Sequence, residues 1–383
     1  MSMEFNRAVG ALGTRYSSYF PNGSGVPFAV RASGGASQSF GSGEPAFTLI
    51  ATNNRGESAL ASLDLLSVTA AYIEGDLDFS GDFPAAMGIR EFFSDRHPFN
   101  YISRFIRPLI AGQVKSDKHW IAQHYDYEQD FYLLFLDRRH RCYSQAVYER
   151  DDEQLEDAMT RKLDFAINAI GANPGDRVLD IGGGWGAFVE HAGRRGIRVT
   201  SLTISKESEA FMKALVDREQ LPCTILREHL FEHQPAERYD AVVNLGVTEH
   251  LPDYRATLQK YVTLLKPGAK LYLDASATRK KGGHSAFLEK FIFPGNGSLM
   301  CLHEYLAEVA QSPLHLRGVW DDRHSYDLTL RAWARNLESH AEEIERRWGK
   351  SLYRKFQLWL WGAAIGTDQD RSQAYRVMLQ APA

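Results

Sequence analysis

Residues Val178–Gly186 read Val-Leu-Asp-Ile-Gly-Gly-Gly-Trp-Gly, a short apolar run with one acid, Asp180, leading into Gly182, Gly184 and Gly186. A run of this kind reads as a buried strand. Glycines at alternate positions allow positive φ and let a backbone lie close to a ligand. The turn opens a helix, whose first amides carry partial positive charge. A pyrophosphate binder would show Gly-x-Gly-x-x-Gly. The spacing found is Gly-x-Gly-x-Gly, and a carboxylate at the strand end would repel pyrophosphate. A ligand with a sulfonium, an ammonium and a carboxylate suits the site, and S-adenosylmethionine (SAM) is such a ligand. The alternative is a turn that only packs a helix on a sheet. Many nucleotide sites add an acid after the second strand to hold ribose. That stretch reads Leu202-Thr203-Ile204-Ser205-Lys206-Glu207, with hydroxyls where the acid is expected and Glu207 slightly late.

The elements that position this turn alternate. Strands are expected at Arg177–Ile181, Val199–Leu202, Thr224–Leu226, Tyr239–Leu245 and Lys270–Leu273. Helices are expected at Glu153–Ala169, Ala187–Arg195, Glu207–Arg218 and Ala256–Leu265, the last closed by Lys266-Pro267-Gly268. This alternation predicts an α/β fold with a doubly wound, mostly parallel sheet and a ligand at the carboxyl ends of the strands. The first third differs. Phe28–Arg31 and Ala46–Ile50 are strand-like, Ala59 to Ile73 has helical spacing, and Glu74–Asp82 is acidic and turn-prone. The expected division is a small N-terminal α+β domain over 1–95, a linker over 96–120 with Arg104, Arg107, Lys115 and Lys118, and the ligand-binding domain over 121–383.

Bulk properties narrow the class. The chain has 383 residues, 44% hydrophobic and 24% charged, with a net charge of −4. That balance gives no reason to expect nucleic acid as partner. No apolar run reaches membrane-spanning length, and the first residues lack the apolar core of a secretory signal. Cys142, Cys223 and Cys301 have neither metal nor disulfide spacing, so no metal is expected and the reading is a reduced, cytoplasmic protein.

Several further segments resemble the cyclopropane-fatty-acyl-phospholipid synthase family of SAM-dependent methyltransferases. They are His124-Tyr125-Asp126, Tyr143-Ser144-Gln145-Ala146-Val147-Tyr148 followed by Lys162-Leu163, the glycine turn itself, Leu202–Glu207, Glu249-His250, Phe291–Gly295, and Tyr326-x-x-Thr329-Leu330-x-x-Trp333. In the N-terminal third, Gly41–Pro45 and Ala71–Asp76 resemble the family's bacterial members. The resemblance covers nearly the whole chain. It implies a Rossmann-like class I methyltransferase and methyl transfer from SAM to the double bond of an unsaturated fatty acyl chain of a phospholipid. A carbocation would follow, then proton loss to give a cyclopropane or a methylated chain. It also implies transient, peripheral contact with the inner membrane face, a lipid-binding-like N-terminal domain, and leaves a homodimer open. The cofactor residues so implied are Tyr143, Ser144, Asp180, Gly182, Gly184, Gly186, Thr203 and Ser205. The catalytic set is Glu249, Tyr326, Asp274 and Gln145.

Two of these catalytic positions depart from the family. Its bicarbonate-holding members carry Cys where Gln145 stands, His where Asp274 stands, and Ile where Ser276 stands. An anionic Asp274 beside bicarbonate would be repelled. Asp274 could act as base, pair with a cationic substrate or carbocation, or cap a strand end through backbone amides. The expectation is an intact methyl-transfer half and an altered ring-closing half. The adenine contact is not placed, because Arg227-Glu228-His229-Leu230-Phe231 departs from the family there. Two rivals remain: a small-molecule N- or C-methyltransferase, for which Asp274 would suit an amine, and a non-catalytic protein that binds SAM and lipid. Lys280–His284 reads as a solvated loop, and Leu352, Tyr353, Phe356, Trp359 and Leu360 as the packed face of a helix.

Overall fold

The computed structural model describes residues 2–95, 129–280, 285–292 and 298–383. The expected linker, His124-Tyr125-Asp126, Pro294-Gly295 and His284 lie outside the described residues.

The chain forms two compact units. One holds Tyr101–His284, Phe293–Asn336 and Gly366–Ala383. Its sheet has strands β5 (Arg177–Ile181), β6 (Arg198–Thr203), β7 (Thr224–Arg227), β8 (Tyr239–Leu245), β9 (Leu265–Ala277), β10 (His315–Asp321) and β11 (Gln373–Gln380), in the order β10-β11-β9-β8-β5-β6-β7. Strands β7 to β9 run parallel through β5, whereas β11 pairs antiparallel with both β9 and β10. The central β5 and β8 are apolar along their length because a parallel sheet is covered on both faces. Val178, Leu179, Val242 and Val243 are fully buried. The switch point falls between β5 and β8, where the strand order reverses direction from the chain order, and the glycine turn emerges there. The expected doubly wound, mostly parallel sheet is therefore present.

Two features differ from expectation. β9 is 13 residues long, not a short strand at Lys270–Leu273. Lys266-Pro267-Gly268 opens this strand instead of forming a break after the helix Tyr254–Leu264. Proline cannot donate to a ladder, and a register shift against Tyr239–Ala241 accommodates it. The antiparallel pair β10 and β11 was not foreseen at all.

The other unit holds Met1–Asn100, Ser285–Ile292 and Leu337–Ile365. Its sheet has the order β2-β1-β3-β4, from β1 (Phe28–Arg31), β2 (Ser37–Phe40), β3 (Phe47–Ala51) and β4 (Leu77–Gly81). Helices Met3–Tyr19, Asn54–Ser62 and Leu65–Glu74 bury Phe5, Leu12 and Leu60 with Phe28, Val30 and Phe47. The helical spacing of Ala59 to Ile73 is two helices, because Leu63 adopts φ 49° and Asp64 caps the second through Ser67 N–H at 2.8 Å. The turn-prone Glu74–Asp82 contains β4, which pairs with β3 from Leu77 to Gly81. Leu77 is buried there and Asp78 takes an ion pair from Arg354, so tertiary partners override the local polarity. Leu352, Phe356, Trp359 and Leu360 are buried on the helix Lys350–Asp368, as its spacing suggested. The two units are not consecutive blocks of sequence. No helix among the described residues is long and apolar enough to cross a membrane.

Candidate active site

Asp180 ends β5 and is 2% exposed. Ser201 on the adjoining β6 donates to its carboxylate at 2.7 Å. Burial pushes the Asp180 pKa up to about 7, with the Ser201 hydroxyl opposing. The turn beyond it needs its glycines for different reasons. Gly182, Gly184 and Gly186 have φ of 76°, 53° and 77°. A Cβ on Gly182 would stand 2.2 Å from Val247 Cγ2, whereas one on Gly184 would meet nothing closer than Gly182 O at 3.9 Å. The turn is thus closed against β8 underneath and open on its outer side. The amides of Gly182 and Gly183 both donate to Leu202 O, at 2.9 and 3.1 Å, which locks the turn to β6.

Thr203 and Ser205 sit at the carboxyl end of β6. Ser205 caps the helix Lys206–Glu219 through Ser208 N–H at 3.2 Å, and the Ser205 amide donates to Thr203 Oγ1 at 3.2 Å. Their hydroxyls therefore have local capping roles in this structure. In the segment that left the adenine contact unplaced, His229 Nδ1 accepts from Phe231 N–H at 3.2 Å and the two rings stack.

Tyr143, Ser144 and Gln145 lie on a loop fixed from one side by the helix Arg323–Ser339. Thr329 Oγ1 accepts from the Ala146 amide at 3.0 Å, and Ser325 Oγ from the Tyr148 amide at 3.1 Å. The Tyr143 ring meets Tyr132 at 5.5 Å and Trp333 at 5.6 Å, and Trp185 meets Tyr132 at 5.8 Å. Gln145 is buried, and its amide reaches Tyr375 O on β11 at 3.4 Å.

The residues expected to act on a proton are partly gathered around Ser276. Glu249 follows β8 and accepts from the Ser276 amide at 2.6 Å with Oε1. Its Oε2 is buried with no hydrogen-bond partner among the described residues. Ser276 Oγ donates to the Tyr326 hydroxyl at 3.2 Å. Burial, with a contribution from Asp274, pushes the Glu249 pKa up to about 7, and burial pushes Tyr326 up to about 12. At neutral pH, then, Glu249 sits near the balance between acid and base, and Tyr326 stays a neutral hydroxyl.

Asp274 is the surprise of the site. It is neither a strand-end cap through backbone amides nor an unpaired charge. Lys162, on the helix Leu155–Ile170, lies 3.1 Å from its Oδ2, and both side chains are 0% exposed. The Lys162 ammonium also touches Ser144 Oγ and lies 3.4 Å from Cys142 Sγ. Burial pulls the Lys162 pKa down, but Asp274 and Cys142 outweigh it, and the group stays charged. Lys162 carried a signal in the sequence. It falls on the apolar stripe of its helix with Ala158, Met159, Leu163 and Ala166, and a lysine on such a stripe requires a buried acid. Ser276 stands out in the sequence only as a departure from the family, and its bonds to Glu249 and Tyr326 depend on β9 extending past Leu273.

The residues present fit SAM. The glycine turn offers a backbone open at Gly184, Asp180 supplies an acid beneath it, and the Glu249 oxygen lies buried in the turn after the neighbouring strand. The chain matches the family model of mycolic acid cyclopropane synthetases over residues 113–377. "Probable fatty acid methyltransferase Rv3720" of Mycobacterium tuberculosis is 29% identical over 72% of this chain and 65% of that protein. A sphingolipid C9-methyltransferase of Candida albicans is 24% identical over 85% of this chain and 67% of its own length. The chain thus spans about two thirds of the length of these relatives. The solved structure of the cyclopropane synthase MmaA2 from Mycobacterium tuberculosis superimposes with a TM-score of 0.65 at 26% identity, covering 69% of this chain and 98% of that one. With this sheet and glycine turn, and with the family model matched over residues 113–377, the chain belongs to the mycolic acid cyclopropane synthetase family of SAM-dependent methyltransferases.

Proposed function

We propose that this protein transfers the methyl group of SAM to a carbon of the double bond in an unsaturated fatty acyl chain of a phospholipid, and then removes a proton from the methylated chain. The observation that carries this reading is the buried, unpartnered Oε2 of Glu249. It sits beside the Ser276–Tyr326 hydroxyl pair, in a site with the aromatic rings of Tyr143 and Trp333 in its walls. The names of the related fatty acid and sphingolipid methyltransferases support an acyl-lipid acceptor.

When bound, SAM supplies an electrophilic methyl on a sulfonium. The glycine turn and Asp180 seat it, and the loop Tyr143–Gln145 closes the other side. Attack of the alkene on that methyl would break the methyl–sulfur bond, release S-adenosylhomocysteine with the bonding pair on sulfur, and leave a positive charge on the acyl chain. The aromatic faces of Tyr132, Tyr143, Trp185 and Trp333 exclude the water that would trap this charge, and stabilise it. Glu249 takes a proton at Oε2, while its Oε1 stays fixed on the Ser276 amide. The electrons of the broken C–H bond close a ring or form a double bond, giving a cyclopropane or a methylated unsaturated chain. The amine-methylating alternative leaned on Asp274. With Lys162 held against that carboxylate, its support is gone.

The test is lipid analysis. Cells making the protein receive methionine labelled in its methyl group, and the extracted lipids are examined by mass spectrometry and NMR. The expected result is labelled acyl chains heavier by one carbon. Label that reaches no lipid, although the purified protein binds SAM, would favour the non-catalytic rival.

A further inference from the structure

Lys162 lies outside every role considered so far, yet its ammonium is one of the most enclosed charges in the molecule. Three groups meet it. Ser144 Oγ and Cys142 Sγ come from the loop that carries Tyr143 and Gln145, and Asp274 Oδ2 comes from β9. The loop has little freedom at this point. A Cβ on Gly246, which follows β8 with φ 70°, would lie 3.0 Å from Ser144 Cβ, and the Gly246 amide donates to Asp274 O at 3.1 Å. The helix Leu155–Ile170, the loop and the carboxyl ends of β8 and β9 therefore converge on a single ammonium.

A buried ion pair stabilises little when compared with apolar residues of the same volume, but it fixes geometry and is costly to break on one side. This pair joins the loop beside the glycine turn to the strand that carries Ser276. Other charged and titratable groups stand around it. Cys142 approaches from the loop, Tyr272 lies two residues before Asp274 on β9, and Glu249 follows β8. Arg376 on β11 is the cross-strand partner of Asp274 and is itself held by Asp322 at 2.7 Å. Arg376 is thus occupied by its own acid, which leaves Lys162 as the cation that meets Asp274.

We propose that the Lys162–Asp274 pair is a positioning clamp. It holds the Cys142–Gln145 loop against the end of β9, and so sets the seat of SAM and the charge beside Glu249. Lys162 and Asp274 act through Ser144 and Glu249 and touch neither methyl donor nor acceptor. This rests on the methyl-transfer reading given above, and the experiment separates the two. The ammonium beside Oδ2 favours the ionised form of Asp274 against the pull of burial, and so opposes its taking a proton.

The test uses the purified full chain and S-adenosylhomocysteine (SAH) as the binding probe, by isothermal titration, with methyl transfer to phospholipid vesicles followed across pH. Wild-type protein that binds no SAH overturns the functional reading itself. Given wild-type binding, Ser144→Ala cuts the loop from the clamp and strands no buried charge, and, since Ser144 is itself a candidate cofactor residue, it is read together with Lys162→Met and Asp274→Asn. It is expected to weaken SAH binding at least fivefold with its melting temperature near that of the wild type. Asp274→Asn removes a negative charge near Glu249, so the acidic limb of its pH profile is expected to move to lower pH, a change that a merely structural role would not produce. Lys162→Met is expected to weaken SAH binding as Ser144→Ala does. SAH binding within twofold of wild type in Ser144→Ala, or an unmoved acidic limb in Asp274→Asn, overturns the clamp.

Discussion

Glu249 and Asp180 are two carboxyl groups lifted to about the same pKa, about 7, by the same cause, burial. Their parts differ because their partners differ. Asp180 has Ser201 and lies under a cradle for a cationic ligand, whereas Glu249 keeps one oxygen bare. Glu249 must be ionised to accept a proton, so activity is expected to rise with pH through about 7. Glu249→Gln is expected to lower product formation by about 100-fold or more while SAH still binds, as measured by vesicle assay and titration. Asp180 gives a second expectation. Its folded pKa stands above the ordinary value of 3.8, so the native ligand-free chain holds a proton that the unfolded chain has lost. Its contribution to stability is present below pH 3.8 and is lost as pH rises toward about 7. The ammonium of a bound ligand favours the carboxylate, so SAH binding should release a proton and tighten as pH rises through about 7. Calorimetry in buffers of different ionisation heat reads that release directly. Binding independent of pH in the wild type, or unchanged pH dependence in Asp180→Asn, would count against it.

The elements explain why these residues meet. Gly182 is required twice over, by its φ of 76° and by Val247 Cγ2 at 2.2 Å from any Cβ. Gly182→Ala is therefore expected to destabilise the protein by about 2–3 kcal/mol in urea unfolding, and to lose SAH binding. The helix–strand alternation from Arg177 to Leu264 was legible because β5 and β8 are apolar runs, and Ser205 and Asp253 cap the helices Lys206–Glu219 and Tyr254–Leu264. The glycine turn was legible for the same reason, being local. What could not be read was non-local. Nothing in Leu273-Asp274-Ala275-Ser276 announces that the strand continues, because its continuation depends on pairing with Tyr375 and Ala374 far along the chain. Asp274 was recognised as unusual, but its partner lies on a helix more than a hundred residues earlier. Leu77–Gly81 looked like a turn because its acid, Asp78, finds its cation, Arg354, only after folding.

At the scale of the molecule, the chain leaves its first compact unit and returns to it twice. Arg354, from the second return, is 3% exposed. It donates to Tyr72 O at 2.6 Å and to Leu77 O at 3.0 Å, and pairs with Asp78 at 2.7 Å. Its guanidinium also lies 4.6 Å from the centre of the Tyr72 ring. Arg354→Met keeps much of the volume and strands these acceptors. It is expected to cost about 2–4 kcal/mol by urea denaturation. No loss would mean that the unit does not depend on this late segment. The other unit closes later still. β11 lies inside its sheet, between β9 and β10, yet follows both in sequence. During synthesis the edge of β9 is therefore complete long before its antiparallel neighbour leaves the ribosome. For that interval the nascent chain carries an open strand edge, the kind that invites pairing with other chains. The dependence of the site on Tyr375 and Arg376 thus has a cost in the cell. This protein is most exposed to misassembly in the interval between the synthesis of β9 and that of β11, and a stall in the stretch before Gln373 would release a chain with the glycine turn already made and β9 unpaired on one edge.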